Sequence, residues 1–258
     1  MITSTRNPKI QWVRALQRRA RRRKEEGVFL VEGVRLAEEA LRSGWQIRLG
    51  LFSHSSDERL RRLLDALQAQ HVPLEEVTPE VLRAVSDTET PQAILLVIQQ
   101  QPLPLPQKLS FVLMIDALRD PGNLGTVLRS AAAAAVQAVI LSPSTVDVYS
   151  PKVVRAAMGA HFRLPILYLS WEEIGELIQA QGLAVFLADA EGDVAYDQAN
   201  FRQPFLLIVG GEAEGASPVA HALAQQRVFI PMPGEMESLN AAVSAAILLF
   251  EAVRQRRG

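Results

Sequence analysis

Hydrophobic and polar positions along the chain keep two rhythms, and each change of rhythm marks out an element. Residues 8–24 carry apolar positions at helical spacing on a basic background, which predicts a helix. "GVFLVEG" then reads as a strand and "VRLAEEALRSG" as a helix stopped by glycine. The alternation continues with "IRLGLFS" (strand), "DERLRRLLDALQAQ" (helix), "VPLEEVT" (strand), "PEVLRAVSD" (helix) and "QAILLVIQQ" (strand). These elements predict a small α/β domain over residues 1–100.

"QQQPLPLPQKLS", residues 99–110, breaks the pattern. Its alternating prolines force extended backbone and forbid helix, so residues 101–109 are expected to be a linker. Residues 110–258 then form the second predicted domain. There "FVLMIDAL", "QAVILS", "AVFLAD" and "FLLIVGG" are continuously apolar, as parallel strands covered on both faces must be. Helices are expected at "TVLRSAAAAA", "PKVVRAAMGA" and "WEEIGELIQAQG". The last stretch, "SLNAAVSAAILLFEAVRQRR", is apolar around most of its circumference until Arg254, so the helix should be covered almost all round.

Composition narrows the class. A chain of 258 residues, 48% hydrophobic and 21% charged, has enough apolar surface for a core. No apolar run reaches the roughly 18 to 20 residues of a membrane span, and no apolar signal segment follows the first charges. A cytoplasmic protein is the expectation. The absence of cysteine excludes disulfides, thiolate catalysis and zinc–thiolate sites, and the four histidines are too scattered to suggest a metal.

The net charge of −1 hides an asymmetry. Residues 1–24 carry only cations: Arg6, Lys9, Arg14, Arg18, Arg19, Arg21, Arg22, Arg23 and Lys24. Such a block favours a polyanion, because every neutralised phosphate releases counterions. Arg18, Arg19, Arg21, Arg22, Arg23 and Lys24 are therefore the candidate nucleic-acid contacts, and charge does not choose between RNA and DNA.

Three stretches carry candidate chemistry. In "DALRDPGNLGTVLRSA" (116–131) a strand ends, a Pro-Gly turn is expected, and a helix begins near Thr126. Glycines at 122 and 125 would let backbone amides approach an anion. Asp120 denies it the G-x-G-x-x-G fingerprint, and no Gly-Lys-Ser/Thr follows, so a nucleotide-dependent enzyme ranks far behind. Arg129 is the sole charged residue between Asp120 and Asp147, and a cation in apolar surroundings needs an acid or phosphate partner. "LLIVGGEAEGAS" (206–217) runs a buried strand into glycines and Glu212. In "VFIPMPGEMESLNAAVSAA" (228–246) two prolines and Gly234 make a non-helical loop, with Ser238 placed to cap the final helix.

Together, in this order, the three stretches resemble the SpoU/TrmH family of RNA ribose methyltransferases, of the SPOUT class. Asn123, Gly125, Arg129, Ser130 and Ala131 match its first motif. Gly210, Glu212, Gly215 and Ser217 match the second, and Ile230, Pro231, Met232, Gly234, Ser238, Leu239 and Asn240 the third. "SPKVVRAAMGAHFRLPI" is similar to the segment between them. Two departures stand out: Ala241–Ala242 where Val-Ser is usual, and Gly211 where asparagine, serine or alanine is commoner. The N-terminal half resembles the ribosomal-protein-like α/β substrate-binding module of many members.

The resemblance implies a Rossmann-like parallel sheet whose C-terminal segment is threaded into a trefoil knot. It implies S-adenosylmethionine as cofactor, held by Gly210, Ile230 and Leu239, with Met232 and Gly234 beside them. It implies methyl transfer to a ribose 2′-hydroxyl without a metal. Arg129 would act on the substrate as base or phosphate clamp; Asn123 would orient Arg129 or the ribose. Glu212 would hold its loop or pair with Arg129, and Ser238 and Asn240 would complete the pocket. A homodimer through the knot is expected. Ribosomal RNA is the expected substrate, transfer RNA the second; a non-catalytic RNA-binding protein of the same fold is the remaining alternative.

Overall fold

The computed structural model describes residues 1–257 other than 213, 214 and 235. In chain order its elements begin with α1 (Pro8–Arg18), α2 (Ala20–Glu26), β1 (Val28–Glu32), α3 (Val34–Ser43) and β2 (Ile47–Phe52). Then come α4 (Glu58–Ala69), β3 (Leu74–Glu76), α5 (Pro79–Val85), β4 (Ile94–Gln99), β5 (Phe111–Asp116) and α6 (Pro121–Ala133). β6 (Ala138–Leu141), α7 (Pro151–Ala157), a 3-10 turn (Ala160–Phe162), β7 (Ile166–Tyr168) and α8 (Trp171–Gln181) follow. The chain ends with β8 (Ala184–Ala188), β9 (Val194–Ala195), β10 (Phe205–Gly210), α9 (Pro218–Leu223), β11 (Gln226–Phe229) and α10 (Ala241–Arg256).

Two compact units result. The first joins Met1–Gln101 with Asp147–Phe162; the second joins Pro102–Val146 with Arg163–Gly258. The stretch 147–162 thus packs within the first unit, although in sequence it lies inside 110–258.

The first unit is built on a four-stranded mixed sheet, order β1-β4-β2-β3, in which only β2–β3 is parallel. Each predicted strand and helix forms close to its expected place, with one exception. The basic helix 8–24 is two helices, because Arg19 is extended at φ −122°, ψ 110°. The break lets α2 fold back on α1: Trp12 Nε1 donates to Glu26 Oε2 at 2.6 Å. It also turns Arg23 inward, where its Nη1 donates to the carbonyls of Leu16 and Gln17 in the last turn of α1. Those carbonyls lack helical partners of their own. Phe29 on β1 centres an aromatic group, with ring centroids of Tyr149 at 5.2 Å and of Trp45, His161 and Phe162 at 5.9 Å.

The second unit holds a seven-stranded sheet, order β7-β6-β5-β10-β8-β11-β9, parallel at every pairing. Its centre is β5 beside β10, registered Phe205↔Phe111 through Gly210↔Asp116. β5 is buried along its whole length and β10 at every position but Gly210, which accounts for their unbroken apolar sequences. β7, β9 and β11 were not separable from loops in the sequence, being two to four residues long. Among the described residues, no helix is long and apolar enough to cross a membrane.

Two helix starts differ from expectation. α6 begins at Pro121 rather than near Thr126: Asp120 caps it by accepting from Asn123 N at 2.8 Å, and proline fits the first helical position. Gly122 and Gly125 are therefore helical residues, not a ligand-cradling turn. α10 is capped by Asn240, not Ser238; its Oδ1 accepts from the amides of Ala242 and Val243. Nor is α10 covered all round. It packs on α6 and β10, while Val243 and Phe250 stay 49% and 48% exposed.

Candidate active site

The C-terminal ends of β8, β10 and β11 lead into loops that enclose a cavity of about 400 Å³ in the second unit. Crevices beyond the carboxyl ends of parallel strands are where open α/β sheets bind ligands. Val209, Val228, Ile230, Leu239 and Leu248 give it apolar walls, and Asp189, Glu212, Ser238 and Asn240 supply polar groups. Of the expected cofactor residues, Gly210, Ile230, Met232 and Leu239 line this cavity, whereas Gly234 lies outside its lining.

Glycine is required where β10 ends. A Cβ on Gly210 would stand 2.4 Å from the amide nitrogen of Ala216 and 2.5 Å from the carbonyl carbon of Gly215. Gly211 and Gly215 form an antiparallel bridge, so the chain doubles back onto Gly210. The departure at Gly211 also has a reason here. A Cβ there would meet the Ala117 carbonyl oxygen at 2.8 Å, and Ala117 itself is held at φ 56°.

Side chains from the three motifs meet at the cavity edge. Asn240 spends its Oδ1 on the α10 cap, which leaves Nδ2 to donate to Asn123 Oδ1 at 3.1 Å. Asn123 Nδ2 in turn donates to Glu212 Oε1 at 2.6 Å. The chain of amides fixes each orientation, because every link has one donor and one acceptor. Glu212 is thus held by Asn123.

Arg129 stands apart from this network. It lies on the exposed stripe of α6 with Thr126 and Ala133, outside the cavity lining. Its side chain has no hydrogen-bond or ion-pair partner among the described residues, and Glu212 does not pair with it. The anionic partner expected for Arg129 is therefore not supplied by the described residues.

The basic block divides into three kinds of residue. Arg23 departs from its expected role: it is 4% exposed, and its Nε donates to Asp147 at 3.0 Å, so it is committed to the interior of the first unit. Arg21 pairs with Glu25 and Arg22 with Glu26, one helical turn away. These acids lie just past residue 24, where the run of cations ends in sequence. Arg18, Arg19 and Lys24 are exposed, and their side chains are unpaired among the described residues.

Sequence reasoning missed two carboxylates. Asp189, after β8, lines the cavity and takes Arg227 at 3.4 Å, an arginine that also grips Asp193 at 2.7 Å. Asp116, the last residue of β5, is 1% exposed and accepts from Ser217 N at 2.7 Å. An acid ending an otherwise apolar strand was the available signal. The first unit hides two perturbed groups as well. Burial pushes the His161 imidazole down to about 4, and burial followed by the nearby Asp147 charge pushes the Tyr149 phenol up to about 12.

Known proteins match this architecture along its length. The SpoU rRNA methylase family matches residues 110–250, and the MRM3-like substrate-binding domain matches residues 7–96. The 23S rRNA (guanosine(2553)-2′-O)-methyltransferase RlmP of Bacillus subtilis is 33% identical, over 96% of this chain and 97% of its own. The human mitochondrial rRNA methyltransferase 3 is 33% identical, over 92% of this chain and 70% of its own. The crystal structure of the SpoU methyltransferase AviRb from Streptomyces viridochromogenes, in complex with AdoMet, superposes with a TM-score of 0.88. It is 31% identical, over 98% of this chain and 99% of that one. By the family match over residues 110–250, the chain belongs to the SpoU rRNA methylase family.

Proposed function

We propose that this protein transfers the methyl group of S-adenosylmethionine to a ribose 2′-hydroxyl of ribosomal RNA. The observation that carries the reading is the convergence of Gly210, Ile230, Met232 and Leu239 on one cavity, with the Asn240–Asn123–Glu212 chain at its edge. The cavity suits the cofactor. Its volume falls in the range of small-molecule sites, and its apolar walls with few polar groups fit a flat base and a charged amino-acid tail. Ribosomal RNA is chosen because relatives that match nearly the whole chain are named for 23S rRNA.

When bound, S-adenosylmethionine supplies a methyl group on a sulfonium, a leaving group that needs no metal. The rest falls to this chain. Gly210, Ile230, Met232 and Leu239 would hold the cofactor, with Gly234 in the loop that carries Met232 and Leu239. Ser238 and Asn240 complete the pocket, while Asn123 keeps Glu212 at its mouth. As the new C–O bond forms and the methyl–sulfur bond breaks, the 2′-hydroxyl gives up its proton to solvent water. Arg129 clamps the neighbouring phosphate and stabilises the charge growing on that oxygen.

The C-terminal segment is inferred to thread a trefoil knot. A second copy of the chain is inferred to cover the half-exposed Leu239, Val243 and Phe250. Arg18, Arg19 and Lys24 are assigned to RNA phosphates. The reaction is placed in the cytoplasm.

The test is transfer of tritiated methyl from S-adenosylmethionine to bulk ribosomal RNA, followed by mapping of ribose methylations in cells with and without the protein. Incorporation that disappears from one ribose position on deletion is the expected result. RNA binding without incorporation would leave only the non-catalytic alternative, and incorporation confined to transfer RNA would overturn the choice of substrate.

A further inference from the structure

Asp116 ends β5, beside the central strand of the parallel sheet, with a carboxylate that solvent barely reaches, at 1% exposure. A buried carboxylate is costly to keep unless donors satisfy it. Its Oδ2 accepts the backbone amide of Ser217 at 2.7 Å, a residue 101 positions further along the chain. Ser217 closes the stretch that leaves β10 at Gly210. Within that stretch Gly215 and Ala216 lie directly over Gly210, with no room for a Cβ between them.

The next residue completes the seat. The carbonyl oxygen of Ala117, held at φ 56°, abuts Gly211 at the position a Cβ would need. Asp116 and Ala117 therefore fix both sides of the stretch, Ser217 through a hydrogen bond and Gly211 through contact. Glu212 follows immediately and meets Asn123. Asp116 itself does not line the cavity, so it acts through what it holds.

We propose that Asp116 is a positioning residue for methyl transfer: by accepting the Ser217 amide, its buried carboxylate sets where Glu212 stands relative to Asn123. The inference rests on the reading of Glu212 as a site residue.

The test is a kinetic cycle in the full-length protein. It compares Asp116→Ala, Asp116→Asn, Glu212→Gln and the Asp116→Ala/Glu212→Gln double variant. Methyl transfer is measured as kcat and KM, S-adenosylmethionine affinity by calorimetry, and folding by the thermal midpoint. Asp116→Ala should lower kcat at least tenfold and change cofactor affinity less than threefold. Asp116→Asn keeps an acceptor for the amide and should recover most of kcat. The double variant should be no slower than the slower single one, as expected when two residues act as a unit.

Asp116→Ala within twofold of the wild-type kcat would overturn the proposal. So would losses that multiply in the double variant, or an Asp116→Asn protein that folds normally and is as slow as Asp116→Ala. If Glu212→Gln alone retains full activity, the reading of Glu212 falls first, and that outcome is separate from failure of Asp116. Should Asp116→Ala not fold, the asparagine variant and its own cycle with Glu212→Gln decide the matter.

Discussion

Asn123 and Glu212 stand 2.6 Å apart, amide to carboxylate, although 89 residues separate them along the chain. The contact belongs to a relay that starts at the cap of the last helix, so three distant segments share one set of hydrogen bonds. Hydrogen bonds to a charged group contribute about 1.5–3 kcal/mol each. Replacing Glu212 by glutamine keeps an acceptor for Asn123 and loses only the charge, a difference of about 1 kcal/mol that should lower kcat by roughly fivefold. Steady-state methyl transfer alongside cofactor affinity checks this; unchanged kcat would remove Glu212 from the site.

Arg129 should respond differently from its neighbours in the same helix. Arg129→Ala is expected to abolish methyl transfer while fold and S-adenosylmethionine affinity stay nearly intact, because its exposed side chain supports nothing among the described residues. Arg129→Lys should also be poor, since a point charge does not replace the planar fork. Activity retained in the alanine protein would defeat the assignment.

The basic block should separate into stability and binding. Arg23→Ala leaves the Asp147 carboxylate without its cation, and two carbonyls without this donor, inside the first unit. Removing one partner of a buried pair costs about 3–5 kcal/mol, and a quarter-exposed Asp147 puts the loss near the lower end. Neutralising Arg18, Arg19 and Lys24 together should leave the thermal midpoint in place, weaken RNA binding, and flatten its dependence on salt. A salt slope that does not change would move the RNA contact elsewhere.

Acid should weaken the first unit through His161. Its folded value is about 4, against 6.5 for a free imidazole, because burial disfavours the charged ring. The unfolded chain therefore binds a proton that the folded unit refuses. This contribution is fully present above about pH 6.5, declines as pH falls toward 4, and amounts to about 3 kcal/mol in all. Urea unfolding across that window should show the decline, and His161→Phe should flatten it while keeping the ring against Phe29.

Association should depend on the last helix. Phe250→Glu puts a charge on the half-exposed apolar side of α10, and sedimentation should then report a monomer where the wild-type protein is expected to sediment as a dimer. A wild-type monomer at micromolar concentration would remove the second copy from the picture.

Much of this arrangement was written locally and could be read. The unbroken apolar runs of β5 and β10 announced a covered parallel sheet, and Gly44 stopped α3 in the left-handed conformation that its sequence suggested. The misreadings had local causes too. "DPG" was taken for a turn, yet aspartate followed by proline also starts a helix, and here Asp120 caps one. The run of cations ends at residue 24, and Glu25 and Glu26, the partners of Arg21 and Arg22 one turn on, follow it directly. What no local pattern encodes is pairing across long separations. Asp116 with Ser217 and Arg23 with Asp147 are each more than a hundred residues apart.

The excursion of Asp147–Phe162 into the first unit constrains how such a protein can be divided. No single cut releases either unit whole. A fragment that stops at residue 101 loses the acid that neutralises Arg23 and three of the rings stacked around Phe29. Exchange of the first unit for another, by recombination or by design, therefore has to carry two separated stretches of gene together.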